Sequence, residues 1–181
     1  MNNEKKKAIF KEVMSYVVTF GVALIVGLLI NHYVLASIHV PTGSMEPTIH
    51  VGDRLFGYRL AYNNSDPERG DIVVFAWPDD ETQTYIKRII GLPGETINIV
   101  DGKVYVTGAD GVEQLLDEPY LTETPYGSFG PYEVPEDCYF MMGDNRNSSA
   151  DSRAWKNPYV SRDKIQSKAI CVYFPRPRIL E

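Results

Sequence analysis

The chain has 181 residues, 44% hydrophobic and 23% charged, with 18 basic against 24 acidic side chains and a net charge of −6. That length bounds it to one globular domain, or one domain with an appendage, and the composition excludes disordered and collagen-like chains. The acidic balance argues against nucleic acid as a partner, because little would offset the repulsion of phosphate.

Residues 1–12 hold Lys5, Lys6, Lys7 and Lys11 against Glu4 and Glu12, and residues 13–38 hold no charge at all. This run is apolar on all sides, whereas a core helix of a soluble fold carries one apolar stripe. As a helix it would rise roughly 39 Å, more than the hydrocarbon core of about 30 Å. A mean hydropathy of −0.23 hides the run, since the rest of the chain has a water-soluble composition. The reading is a retained transmembrane helix over residues 13–36. A cleavable signal peptide ending near Leu35-Ala36-Ser37 is the rival, but its apolar core would span only about 7–15 residues. The positive-inside rule puts residues 1–12 in the cytoplasm and residues 37–181 outside the membrane.

Past the anchor, Pro41-Thr-Gly-Ser-Met-Glu-Pro-Thr48 breaks the apolar pattern with a glycine and two prolines, which puts Ser44 on a turn. A serine there is only a turn residue unless a base activates it. His39 and His50 are near in sequence, though no carboxylate is marked by spacing to orient either.

Short runs of β-formers follow at 71–77, 84–90, 97–100, 103–106, 139–142 and 168–174, each bounded by Gly, Pro, Asn or Asp. Asp101-Gly102 between two of them is a hairpin signal. No stretch after residue 38 keeps a helical period, so the outer domain reads as mainly β, with an antiparallel sheet. Residues 107–137, rich in Gly, Pro, Tyr and acids, read as a loop or small insertion.

Within the 84–90 run, Lys87 lies among Tyr85, Ile86, Ile89 and Ile90. Desolvation lowers a lysine's pKa, and a neutral lysine can take a serine's proton. Alternation puts Lys87 and Arg88 on opposite faces, so one is expected in the interior and the other in water. Residues 143–153 follow an apolar strand, and Asp144, Arg146, Asp151 and Arg153 supply both charges for bidentate pairs. Cys138 and Cys171 sit in apolar runs; free thiols and a disulfide both fit. His32, His39 and His50 show no metal-ligand spacing, and no metal or cofactor is expected.

Together these segments resemble the bacterial type I signal peptidases, membrane-bound Ser/Lys proteases. The resemblance rests on the anchor, Pro41-Thr-Gly-Ser-Met-Glu-Pro-Thr48, Gly52-Asp53, Arg69-Gly-Asp-Ile-Val-Val-Phe75, Tyr85-Ile-Lys-Arg-Ile-Ile-Gly-Leu-Pro-Gly94 and the 143–153 stretch, all in the family's order. It implies a signal-peptidase-type antiparallel β domain with a small β insertion over 95–137, behind one membrane helix. It further implies Ser44 as nucleophile, Lys87 as general base, and an oxyanion hole from the Ser44 N–H and the Thr42 hydroxyl. Ser149 would hydrogen-bond the lysine, with Asp144, Asp151 and Arg153 supporting the site. Ile38, Val40, Met45, Tyr85 and Ile86 match positions lining pockets for small side chains one and three residues before the cut, an Ala-x-Ala preference. Thr42 stands where many relatives have serine but keeps the hydroxyl. The single anchor and the short insertion resemble Gram-positive members, and the lysine separates the chain from eukaryotic and archaeal relatives with histidine there.

The expected partners are preprotein signal peptides and the lipid bilayer, with the enzyme a monomer in the membrane. Ser44 lies six residues past Ile38, within roughly 22 Å of the end of the apolar run, so the nucleophile is expected near the membrane surface. Two other classes fit parts of the pattern: a Ser/Lys self-cleaving regulator, which would need a soluble partner-binding arm, and a non-catalytic β domain that binds exported proteins.

Overall fold

The computed structural model describes residues 3–180, so Met1 and Asn2, at the head of the basic segment, and Glu181 lie outside the described residues. The chain divides into two compact units, residues 1–35 and 36–181. The first is helix α1, Asn3–Tyr33. Its stretch Ile9–Tyr33 is long and apolar enough to cross a membrane, and Phe10, Phe20 and Leu28 are exposed among its large apolar side chains. The helix stops short of the expected residue 36. Leu35 and Ala36 belong instead to strand β1, Leu35–His39, which pairs with the next strand and so satisfies its backbone there.

The second unit is antiparallel β. After β1 come β2 Arg54–Tyr58, β3 Ile72–Trp77, β4 Asp80–Gly91, β5 Thr96–Val100, β6 Lys103–Thr107, β7 Glu113–Leu115, β8 Phe129–Glu133, β9 Cys138–Met142, β10 Tyr159–Ser161, β11 Ile165–Phe174 and β12 Arg178–Ile179. The larger sheet runs β1-β2-β11-β3-β4-β9-β10, with β12 against β11. The smaller runs β7-β6-β5-β8 and falls inside the 95–137 stretch. Two short strands thus lie in the region that reads as loop.

Local chemistry explains the elements. The Ile72–Ala76 run is buried residue by residue, the signature of a central strand covered on both faces. At the β5–β6 turn Asp101 and Gly102 take φ of 49° and 78°, the left-handed pair a two-residue hairpin needs. The core has three parts. Ile90, Ile97, Ile99, Val104, Val106 and Phe140 join the two sheets. Val40, Met45, Ile49, Leu55 and Val172 pack under the Ser44 turn. Val73, Phe75, Ile89, Tyr139 and Met141 fill the opposite side of the larger sheet. Cys138 and Cys171 are unpaired and half-buried.

Candidate active site

The Ser44 turn is an excursion between β1 and β2, closed at its neck by Val40 N–H donating to Asp53 O and Gly52 N–H to Val40 O. Glu46 N–H donates to Gly43 O and Ile49 N–H to Met45 O. These bonds spend the backbone locally and bury Met45 and Ile49 completely. Asp53 accepts from the His50 N–H at 2.9 Å and from Arg178 at 2.5 Å, while Arg178 also donates to Thr48 O at 2.8 Å. These bonds, with burial opposing them, hold the Asp53 carboxyl below the usual range. Ser44 remains at the rim, half-buried.

Strand β4 carries Lys87 to this rim. Ser44 Oγ and Lys87 Nζ, 43 residues apart, stand 2.6 Å from each other. Lys87 is 3% exposed. Burial drives its pKa down to about 8; Asp151 and Asp144 oppose the fall and Arg153 adds to it. The hydrogen-bond partner of Ser44 Oγ is therefore this lysine and not His39 or His50.

Arg88 differs from expectation. It is as buried as Lys87, at 2% exposed, because both faces of β4 are covered. Its guanidinium makes a bidentate pair with Asp144 (2.9 and 2.7 Å) and donates to Gly70 O at 2.7 Å. Asp144 also accepts from Thr48 Oγ1 at 2.5 Å, tying the Ser44 turn to β9's exit.

The 143–153 stretch packs against the same turn. A Cβ at Gly143 would fall 2.3 Å from the Ser44 carbonyl and 2.2 Å from Ser149 Oγ, so only glycine fits this approach. Asp151 takes the Gly143 N–H at 3.0 Å and both ends of Arg153 at 2.7 and 2.8 Å. Asn145 donates its N–H to Ser44 O at 3.1 Å and Nδ2 to Gly43 O at 3.0 Å. Ser149 Oγ is buried with no hydrogen-bond partner among the described residues; its expected bond to Lys87 is not formed here.

A cleft of about 510 Å³ opens beside Ser44 and Lys87, lined among others by Ile38, Val40, Thr42, Tyr85 and Ile86. Met45, expected on the same wall, lies in the core beneath, since its side chain fills the space between Val40 and Ile49. Tyr85 is fixed by stacking on Trp77 (centroids 5.2 Å apart) and by the edge of Trp155 at 6.0 Å. No group of His, Cys, Asp and Glu fit to hold a metal exists among the described residues.

Sequence reading missed Arg88, Asn145, Thr48, Arg178, Glu118 and Tyr120 as parts of this network. Two Asp and two Arg in 143–153 look self-sufficient, so nothing signalled partners elsewhere. In fact Asp144 pairs with Arg88, and Arg146 pairs with Glu118.

Residues 13–174 match the family described as signal peptidase, peptidase S26. A signal peptidase I of Leptolyngbya laminosa is 37% identical over 175 residues, 93% of this chain and 83% of that protein. One from Bacillus licheniformis is 34% identical over 184 residues, 96% of this chain and 93% of that protein. A solved signal peptidase I from Enterococcus faecalis V583 has 32% identity and a TM-score of 0.48, over 57% of this chain and 97% of that one. The chain therefore belongs to the signal peptidase family, peptidase S26, and is a serine peptidase of the bacterial type I signal peptidase class. Its apolar helix α1 fits a membrane-anchored member.

Proposed function

We propose that the chain cleaves signal peptides from exported preproteins with a Ser44–Lys87 dyad, acting through an acyl-enzyme. The observation that carries this is the 2.6 Å approach of Ser44 Oγ to a buried lysine amine. Neutral Lys87 takes the Ser44 proton, and Oγ attacks the carbonyl at the cleavage junction. The Ser44 N–H and the Thr42 hydroxyl receive the oxyanion; losing one such donor typically costs about 100- to 1000-fold in rate. Collapse breaks the C–N bond, and Lys87 returns the proton to the leaving amine. Water, deprotonated by the same lysine, then hydrolyses the ester and frees the signal-peptide carboxylate.

Asp144, Asp151 and Arg153 hold the turns on which these groups sit, and Ser149, whose hydroxyl lies beside Gly143, is the candidate to orient the lysine amine. The small apolar walls of Ile38, Val40, Tyr85 and Ile86 suit alanine-sized side chains, which supports an Ala-x-Ala preference. Lys5, Lys6 and Lys7, in the first turns of α1 and ahead of its apolar stretch Ile9–Tyr33, support a cytoplasmic N-terminus with residues 37–181 outside, as a monomer that meets its substrate in the bilayer.

The test is cleavage of an Ala-x-Ala preprotein by wild type, Ser44→Ala and Lys87→Ala. Both variants are expected to lose all measurable turnover while keeping the wild-type β circular dichroism. Turnover retained by either removes the dyad.

A further inference from the structure

Glu118 and Tyr120, in the segment between β7 and β8, reach into the ionic cluster, and the reaction scheme gives them no part. Glu118 accepts two hydrogen bonds from the Arg146 guanidinium, at 2.9 and 2.5 Å. The two side chains are only 7% and 2% exposed. The Tyr120 hydroxyl donates to Glu118 at 2.7 Å and accepts from Arg146 at 3.2 Å. Its ring lies 4.0 Å from the Arg88 guanidinium and 5.8 Å from that of Arg146. Burial and the Glu118 charge push the phenol's pKa up, so the hydroxyl stays a donor.

Arg146 is held at its other end too. Its Nε donates to Gly143 O at 3.1 Å, and its own carbonyl accepts from Arg153 at 2.7 Å. A guanidinium is rigid and planar, so fixing its outer nitrogens fixes the 143–146 turn behind them. Asn145 sits in that turn, and its Nδ2 grips the Gly43 carbonyl at 3.0 Å. That carbonyl and the Ser44 N–H belong to one planar trans peptide, so the direction of one sets the opposite direction of the other. A donor that tilts loses its hydrogen bond steeply below about 120°.

We infer that Glu118 and Tyr120 are positioning residues which, through Arg146 and Asn145, hold the Gly43–Ser44 peptide at the angle that oxyanion donation requires. The inference rests on the Ser44–Lys87 reading and extends it: the segment between β7 and β8 helps to set the reaction rate. A purely stabilising role for these residues would lower the melting temperature and leave kcat alone.

The experiment measures kcat, KM and melting temperature of the full-length enzyme in detergent on a preprotein, well below each variant's melting point. Glu118→Gln, Tyr120→Leu and Asn145→Ala are each expected to lower kcat roughly 10- to 100-fold and to leave KM within about twofold. Tyr120→Phe keeps the ring between the guanidiniums and retains most activity. The double variant Tyr120→Leu/Asn145→Ala is no slower than the slower single, because both act on one peptide plane. Glu113→Gln on exposed β7 behaves as wild type. An unchanged kcat in folded Glu118→Gln or Tyr120→Leu, a loss carried by KM, or losses that multiply in the double variant overturns the inference. Should Tyr120→Leu fail to fold, Glu118→Gln, which replaces one oxygen by an amide nitrogen, decides. Failure of the underlying dyad looks different: Ser44→Ala then turns over substrate whatever the Glu118 and Tyr120 variants do.

Discussion

A lysine amine in water titrates near about 10.4, and as an ammonium it has no lone pair with which to accept a proton. Lys87 escapes this by burial, which brings it down to about 8 against the pull of Asp151 and Asp144, with Arg153 assisting. In the proposed dyad the base has to be neutral, and the neutral fraction grows as pH rises through that value. The expected profile of kcat/KM on a preprotein therefore climbs with pH, one proton being lost, and levels off above about 8. A rise centred near about 6.5, the ordinary histidine value, would reassign the base to His39 or another imidazole. The lowered value also has a thermodynamic side. Between about 8 and about 10.4 the unfolded chain binds more protons at this residue than the folded one, so Lys87 makes stability rise with pH across that window.

At the scale of elements, β4 joins the chemistry to the core. It presents Lys87 at the cleft, packs Ile89 and Ile90 into two different clusters, and sends Arg88 to Asp144. A buried ion pair adds little net stability, but removing one partner strands the other charge at about 3–5 kcal/mol. Arg88→Ala should therefore lower the unfolding free energy by about that amount in a urea titration. A loss below about 1 kcal/mol, the value of a surface pair, would mean that Asp144 finds another cation.

Strands β3, β4, β5, β6, β9 and β11 were legible, whereas β1, β2, β7, β8, β10 and β12 carry no comparable run of β-formers. The unbroken run of β3, the Asp101-Gly102 turn and the cut of β4 at Gly91 are local statements, written by neighbours in sequence. A turn serine and a lysine among isoleucines each stand out chemically, but it was the resemblance to the type I signal peptidases, not spacing, that paired Ser44 with Lys87. Three side-chain placements were not legible, all for the same reason. The burial of Arg88, the retreat of Met45 into the core and the reach of Glu118 to Arg146 depend on what the fold brings from far along the chain. The end of the membrane helix was also misjudged: hydropathy counts Leu35 and Ala36 as apolar, whichever of helix or strand pairs their backbone.

For the whole molecule, α1 ends at Tyr33 and β1 begins at Leu35, with Val34 alone between the two elements. On the proposed reading, tethering keeps the local concentration of enzyme high for a substrate in the same bilayer. A flexible Gly/Ser spacer of about 20 residues inserted at position 34 should slow cleavage of a membrane-embedded preprotein. It should leave the rate on a soluble peptide unchanged. Equal rates on both substrates, with and without the spacer, would make the helix a mere attachment.

The aromatic wall of the cleft has a practical consequence. The chain has two tryptophans, and both, Trp77 and Trp155, touch Tyr85. All indole emission of this protein thus arises beside the ring that lines the cleft, and a peptide settling there alters the surroundings of both fluorophores at once. The enzyme carries an unlabelled optical gauge of its own occupancy, readable in Ser44→Ala, where on the proposed mechanism binding proceeds and chemistry does not.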